Sequence, residues 1–204
     1  MNHHAHAGRW SRQGAEAAPR RTVLHVGCGP VTSGRLHAWF TSERWNELRV
    51  DVDPAVRPDM VASITDLAVI GDAEIDAVWA SHVLEHLPDH DVPVALREMT
   101  RILRPDGFAL VTSPDIVTAA RAIVAGHLED PMYVSPAGPV AALDVLYGFR
   151  PALKRGRGYM AHRTAFTEGR LGRLMIEAGF AEVRVATHGS DLWALALMPD
   201  AVDA

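Results

Sequence analysis

Cysteine is nearly missing from this chain: its 204 residues include one, Cys28. A lone thiol excludes an internal disulfide framework and a cysteine-ligated iron–sulfur cluster. Long apolar runs are missing too. None is long enough to span a bilayer, and the N-terminus lacks the charged-then-apolar pattern of a secretory leader. There is no excess of positive charge. The formal net charge is -5, which argues against a general polyanion binder while leaving room for a local basic patch. What remains is ordinary: 48% hydrophobic and 22% charged residues, in a chain long enough for one domain with a sizeable core. A cytoplasmic protein is the expectation.

The segment that organises the chain is Val23-Leu24-His25-Val26-Gly27-Cys28-Gly29-Pro30. It reads as a short apolar strand running into a glycine turn, where glycine permits backbone angles that a side chain forbids and lets a ligand approach the main chain. Leu48 to Val52 reads as a second strand carrying Asp51, with Asp53-Pro54 as a turn. A strand, a glycine turn, a second strand and an acid about twenty residues on is the layout of a nucleoside-binding crevice.

Further along, Met60-Ala62 and the apolar run Ile75-Ser81 read as strands, the latter buried on both faces. Val31 to Glu47 allows a short helix or two turns and holds a long crossover helix only tightly. Asp91 to Leu103 shows helical spacing in Val92, Ala95, Leu96, Met99 and Ile102. Arg104-Pro105-Asp106-Gly107 reads as a turn and Phe108-Thr112 as a strand. Ser113-Pro114 reads as the cap and first position of another helix. Gly126 to Thr164 is the least regular part. Thr167 caps a helix that Gly179 ends, and two strands joined by His188-Gly189-Ser190-Asp191 must be antiparallel. The alternation predicts an α/β fold: a mostly parallel sheet with helices on both faces, closed by a C-terminal hairpin. Residues 1–20, with His3, His4 and His6, are expected to be a disordered tail. Residues 21–204 are expected to form a single domain, in which 115–165 is a substrate-side lid.

Taken together, VLHVGCGP, RVDVDPAVRPDM, IDAVWASHVLEHL and RILRPDGFALVTSPD resemble the class I S-adenosylmethionine-dependent methyltransferases, within a bacterial set of small predicted members. The similarity runs from Thr22 to Gly107. It implies a doubly wound, Rossmann-like, seven-stranded sheet and S-adenosyl-L-methionine as cofactor. Carried over by position, Gly27, Cys28 and Gly29 would line the methionine moiety. Asp51, beside Val52, would accept the ribose hydroxyls. Ser63 and Ile64 would meet the adenine, and Ser81 and His82 would border the methyl group. His25 stands where the family often has an acid, Val31 where it often has glycine, and Ser63 replaces the usual adenine-side acid.

Methyl transfer from a sulfonium needs alignment, and a base only where the acceptor must lose a proton. His82 and His162 are the candidate bases. Tyr147, Arg150, Tyr159 and Arg163 are the candidate substrate positioners. The basic side chains of 150–163 suit an anionic group. The expected acceptor is a small molecule, methylated on oxygen, nitrogen or sulfur. Nucleic acid docked on the basic segment, a cofactor-binding protein without chemistry and a nicotinamide reductase are the rivals. A membrane partner is not expected, and a second copy of the chain is kept as a partner. No metal site is expected: Glu85 and His86 are sequence neighbours that point differently on a helix.

Overall fold

A computed structural model describes residues 19–202. The expected tail, with His3, His4 and His6, falls outside these residues except for Pro19 and Arg20. Strand β1 (Arg21–Val26) runs into the glycine turn. β2 (Trp45–Asp51), the short β3 (Met60–Val61) and β4 (Ile75–Ser81) follow. Helix α1 (Val92–Ile102) leads into the long β5 (Leu103–Pro114) and helix α2 (Ile116–Val124). After a separate region come helix α5 (Glu168–Glu177) and the hairpin β8 (Glu182–His188) and β9 (Asp191–Leu197).

The sheet order is β3-β2-β1-β4-β5-β9-β8. The first five strands pair in parallel, and β9 is antiparallel to both β5 and β8. The register sets the position of the site. Val26 is level with Val50 on one side and with Ala80 on the other. The chain therefore leaves β1, β2 and β4 at one edge of the sheet, where Gly27, Asp51 and Ser81 stand together. Between β1 and β4 the strand order reverses, which is where open α/β sheets bind ligands.

The two faces of the sheet are covered differently. On one, Leu96, Met99 and Ile102 of α1 and Leu171 and Met175 of α5 are buried with Leu24, Val50, Val78, Val111 and Ala194. The period of the apolar residues in α1 supplies that stripe, and fully burying each side chain is worth about 1.5–3 kcal/mol. On the other face Val23, Ala77, Trp79 and Phe108 pack under Phe40 and Trp45. Trp39 lies against these rings, half-exposed. Among the described residues the linker after β1 forms only a 3-10 turn at Val31–Ser33 and further turns, so aromatic side chains cover this face in place of a long crossover helix.

Two local expectations are corrected. Arg104 to Gly107 is not a free turn but lies within β5, whose register against β4 shifts between Ile75 and Ala77. Ser113 and Pro114 do not start α2; they remain in β5, paired with Leu192 and Asp191 of β9. Asp115 caps the helix instead, its carboxylate accepting the N–H groups of Val117 and Thr118. A buried carboxylate satisfies two orphan donors at once.

The region between α2 and α5 is more ordered than its composition suggests. β6 (Pro131–Ser135) and β7 (Gly138–Ala141) form a two-stranded sheet, followed by helices α3 (Ala142–Tyr147) and α4 (Arg150–Lys154) and a 3-10 turn at Gly158–Met160. Val140, Ala142 and Val145 bury a small core with Ala119 of α2. Asp144, itself buried, joins its pieces by accepting from the backbone N–H of Ala141 at 2.9 Å, that of Arg150 at 3.0 Å and the Arg150 Nε at 2.9 Å.

Candidate active site

The crevice at the strand ends is a cavity of about 460 Å³. Its floor is the glycine turn. Gly27 and Gly29 have φ of 64° and 60°, in the region that favours glycine. A Cβ on Gly27 would fall 2.6 Å from the Val83 side chain. Cys28 between them is buried and does not line the cavity; its backbone N–H bonds Val50 across the sheet at 3.2 Å. Burial raises the pKa of its thiol.

Asp51 locks the turn to the end of β2. One carboxylate oxygen accepts from Gly29 N–H and the other from Asp53 N–H, both at 2.9 Å. Each oxygen retains a lone pair. Arg49, the preceding outward residue of β2, donates to the carbonyls of Gly29 and Arg57. His25, whose position invites an acid, is buried and bonds Glu47 at 2.6 Å. Burial lowers its pKa, against the opposing hydrogen bond and charge of Glu47.

Val52, Ser63 and Ile64 line the cavity, as does Asp53. The Ser63 hydroxyl shares a 2.7 Å hydrogen bond with that of Thr65. Ser81 is not brought to the cavity; it accepts a hydrogen bond from the Thr112 hydroxyl at 2.9 Å within the sheet. His82 is. Its φ of 55° is rare for a residue with a side chain, and its backbone N–H is held by the Thr112 carbonyl at 3.0 Å. The imidazole stands between two carboxylates: Nδ1 is 3.3 Å from Glu85 and Nε2 is 3.5 Å from Asp191. Burial pulls its pKa down, but the two acids outweigh it and hold the value up at about 10. That environment corrects the expectation of a base, since an imidazolium has no lone pair with which to take a proton.

The remaining candidates divide. Tyr159 and Arg163 line the cavity. The Tyr159 hydroxyl donates to Asp53 at 2.8 Å, so the 3-10 turn at Gly158–Met160 roofs the end that Asp51 floors. The Arg163 backbone N–H donates to the Glu85 carbonyl at 2.8 Å. Tyr147 and Arg150 do not line the cavity. Tyr147 is exposed, and Arg150 faces Asp144 as part of the roof's own framework. His162 also lies off the cavity, its ring centroid 4.9 Å from that of His86, which does line it.

Three contributors gave no usable signal in the sequence. Arg35 lines the cavity, and its side chain lies 3.6 Å from where a Cβ on Gly29 would stand. Glu85 is buried in a turn that reads as surface. Tyr133 of β6 is half-buried, its pKa pushed up to about 12 by burial and by the charges of Asp191, Glu85 and Asp144. Each depends on contacts distant in sequence, and no local pattern announces them.

Strand order, reversal point, glycine turn and terminal acid together define a nucleoside-binding α/β protein with an antiparallel final hairpin. Residues 24–111 match the family model described as a methyltransferase domain. The matched segment and the strand order are those of the class I, Rossmann-like methyltransferase fold. It is similar to the Burkholderia thailandensis 1,6-didemethyltoxoflavin-N1-methyltransferase, solved with 1,6-didemethyltoxoflavin and S-adenosylhomocysteine. Identity there is 19% and the TM-score 0.53, covering 89% of this chain and 72% of that one. A SAM-dependent methyltransferase from Aquifex aeolicus is 14% identical with a TM-score of 0.55, covering 87% and 82%. The DszA carbon methyltransferase is 16% identical with a TM-score of 0.58; the match covers 92% of this chain and 49% of that one. No curated protein matches the sequence. Among the described residues no helix is long and apolar enough to cross a membrane.

Proposed function

We propose that the protein methylates a small acceptor carrying an anionic or strongly hydrogen-bonding group, on oxygen, nitrogen or sulfur. The observation that carries this reading is a roofed cavity whose lining includes Arg163, Arg157 and the acid-flanked His82. The Burkholderia neighbour, solved with a small heterocycle, supports the acceptor class.

The lining fits S-adenosylmethionine. The turn at Gly27 and Gly29 admits a ligand to the main chain, and Arg35 above it suits the carboxylate of the amino-acid moiety. The lone pairs left on Asp51 suit the two ribose hydroxyls. Ser63 and Ile64 offer a hydroxyl and an apolar surface to the adenine. When bound, the cofactor supplies an electrophilic methyl group on a leaving group that departs as a neutral thioether. The protein therefore has no leaving group to protonate. Its contribution is alignment and exclusion of water, worth about 7–11 kcal/mol at best. Tyr159 closes the roof onto Asp53, while Arg163 and the His82 imidazolium hold the acceptor. With His82 held charged, the reading favours acceptors that arrive with a lone pair available. His162 would serve as a base only through His86; if His162→Ala turns over the acceptor at the parental rate, that role is dropped.

The nucleic-acid alternative finds less support. Of the basic side chains in 150–163, Arg150 is paired with Asp144, and Arg157 and Arg163 line the cavity. Calorimetry with S-adenosylhomocysteine, followed by a panel of small anionic acceptors and an isotopically labelled methyl donor, tests the reading. Labelled small product with salt-insensitive turnover is the expected result. Labelling confined to RNA or DNA, with binding that falls steeply with salt, would overturn it.

A further inference from the structure

Glu85, His86 and His162 meet beside the cavity as a cluster. One ligand atom from each lies within 4.8 Å of the other two. Glu85 is 2% exposed, and neither carboxylate oxygen has a hydrogen-bond donor among the described residues. His82 stands 3.3 Å from one of them, at ion-pair distance but without hydrogen-bond alignment. Leaving a buried carboxylate so poorly met is costly.

The two imidazoles complete the picture. His86 Nδ1 lies 3.2 Å from the Ala161 carbonyl and His162 Nδ1 lies 2.7 Å from the Val145 carbonyl. A carbonyl can only accept, so in each ring Nδ1 carries the hydrogen. In the neutral ring Nε2 is then a bare lone pair. Two lone-pair nitrogens and a buried carboxylate, all acceptors, come together at the edge of the cavity, with no hydrogen-bond donor to the carboxylate among the described residues. An imidazole tied by its other nitrogen to a backbone carbonyl is how metal-binding histidines are oriented. Two nitrogens and one oxygen suit a divalent ion of the zinc class.

We propose that Glu85, His86 and His162 bind one divalent transition-metal ion. The proposal departs from the expectation of no metal. Glu85 and His86 do not lie on an α-helix but on the 3-10 turn Leu84–His86, and His162 reaches them from the roof, where the Arg163 and Thr164 N–H groups already bond the Glu85 carbonyl. The ion would fasten the roof to the strand-end turn beside the methyl-transfer cavity. The proposal does not depend on the acceptor class and is tested without cofactor.

The test uses the full chain with His3, His4 and His6 changed to Ala, because that tail could chelate metal itself. Zn²⁺ is titrated by calorimetry and Co²⁺ by visible absorption. One equivalent should bind, with the intense visible band of a low-coordinate cobalt site, and Zn²⁺ should raise Tm. Glu85→Gln, which keeps shape while removing a buried charge, and His162→Ala should each weaken binding by about a hundredfold or more, beyond the loss of an orienting partner alone. Circular dichroism verifies that the variants are folded; Glu85→Gln alone decides if His162→Ala is not. Failure to bind, or equal binding in the parent and Glu85→Gln, overturns the site.

Discussion

The floor and the roof of the crevice are built by opposite means. The floor is backbone: two glycines at positive φ and the ends of three parallel strands, fixed by one aspartate whose partners lie within 22 residues. The roof is side chains carried on short elements, joined to the floor by bonds such as Tyr159 to Asp53 across 106 residues. The floor follows from sheet geometry and can hold any nucleoside of the right shape. The roof is set by individual residues, and it is there that one acceptor would be told from another.

The contrast can be broken most sharply at the floor. Gly27→Ala places a methyl group against Val83 in a backbone region that costs of order 1–3 kcal/mol for a side chain. Calorimetry should show S-adenosylhomocysteine affinity reduced by about a hundredfold or more. Asp51→Ala should do as much, since hydrogen bonds to a charged group contribute about 1.5–3 kcal/mol each. Retained affinity in both variants would move the nucleoside elsewhere.

Next comes the roof's framework. Asp144→Ala leaves two backbone donors and Arg150 without their acceptor and should cost roughly 3 kcal/mol. The loss should appear as a lower Tm and faster proteolysis within 131–164, with cofactor affinity changed less than by Asp51→Ala. A larger affinity loss in Asp144→Ala would mean that the roof, rather than the floor, holds the cofactor.

How much of this was legible beforehand follows the same division. Strand β4 was readable at its limits because an apolar run buried on both faces has no other explanation, and Thr167 as a cap because capping is local. Asp51 was readable because its spacing from the glycines is set by the length of one strand-to-strand connection. Ser113 and Pro114 misled because their pairing partners in β9 are far along the chain, and nothing local says that the strand continues. Arg150 looked like a substrate ligand because charge is visible in sequence, whereas its pairing with Asp144 is not. Glu85 and Arg35 were invisible for the same reason.

Smaller effects sharpen the boundary between floor and roof. Tyr159→Phe removes one exposed hydrogen bond worth about 1 kcal/mol. Cofactor dissociation should quicken about fivefold, with stability moving less than about 0.5 kcal/mol. Unchanged dissociation kinetics would detach the roof from cofactor retention.

The smallest effect lies under the floor. Burial lowers the His25 pKa, so below the ordinary histidine value of about 6.5 the unfolded chain takes up a proton that the folded chain resists. The stability His25 contributes is complete above that pH and is lost as pH falls through it. His25→Gln should flatten the acid-side decline of Tm between about pH 7 and 5; an unaltered slope would place the titration elsewhere.

The aromatic face of the sheet has a practical consequence. Trp79, tilted against Trp193 with ring centroids 6.0 Å apart, donates its indole N–H at 2.9 Å to the carbonyl of Arg35, the residue poised over the glycine turn. The protein thus carries an optical gauge tied to the cavity wall by one hydrogen bond. A ligand that shifts the Arg35 backbone would disturb this indole, so occupancy should be readable by intrinsic emission without any label in the cavity.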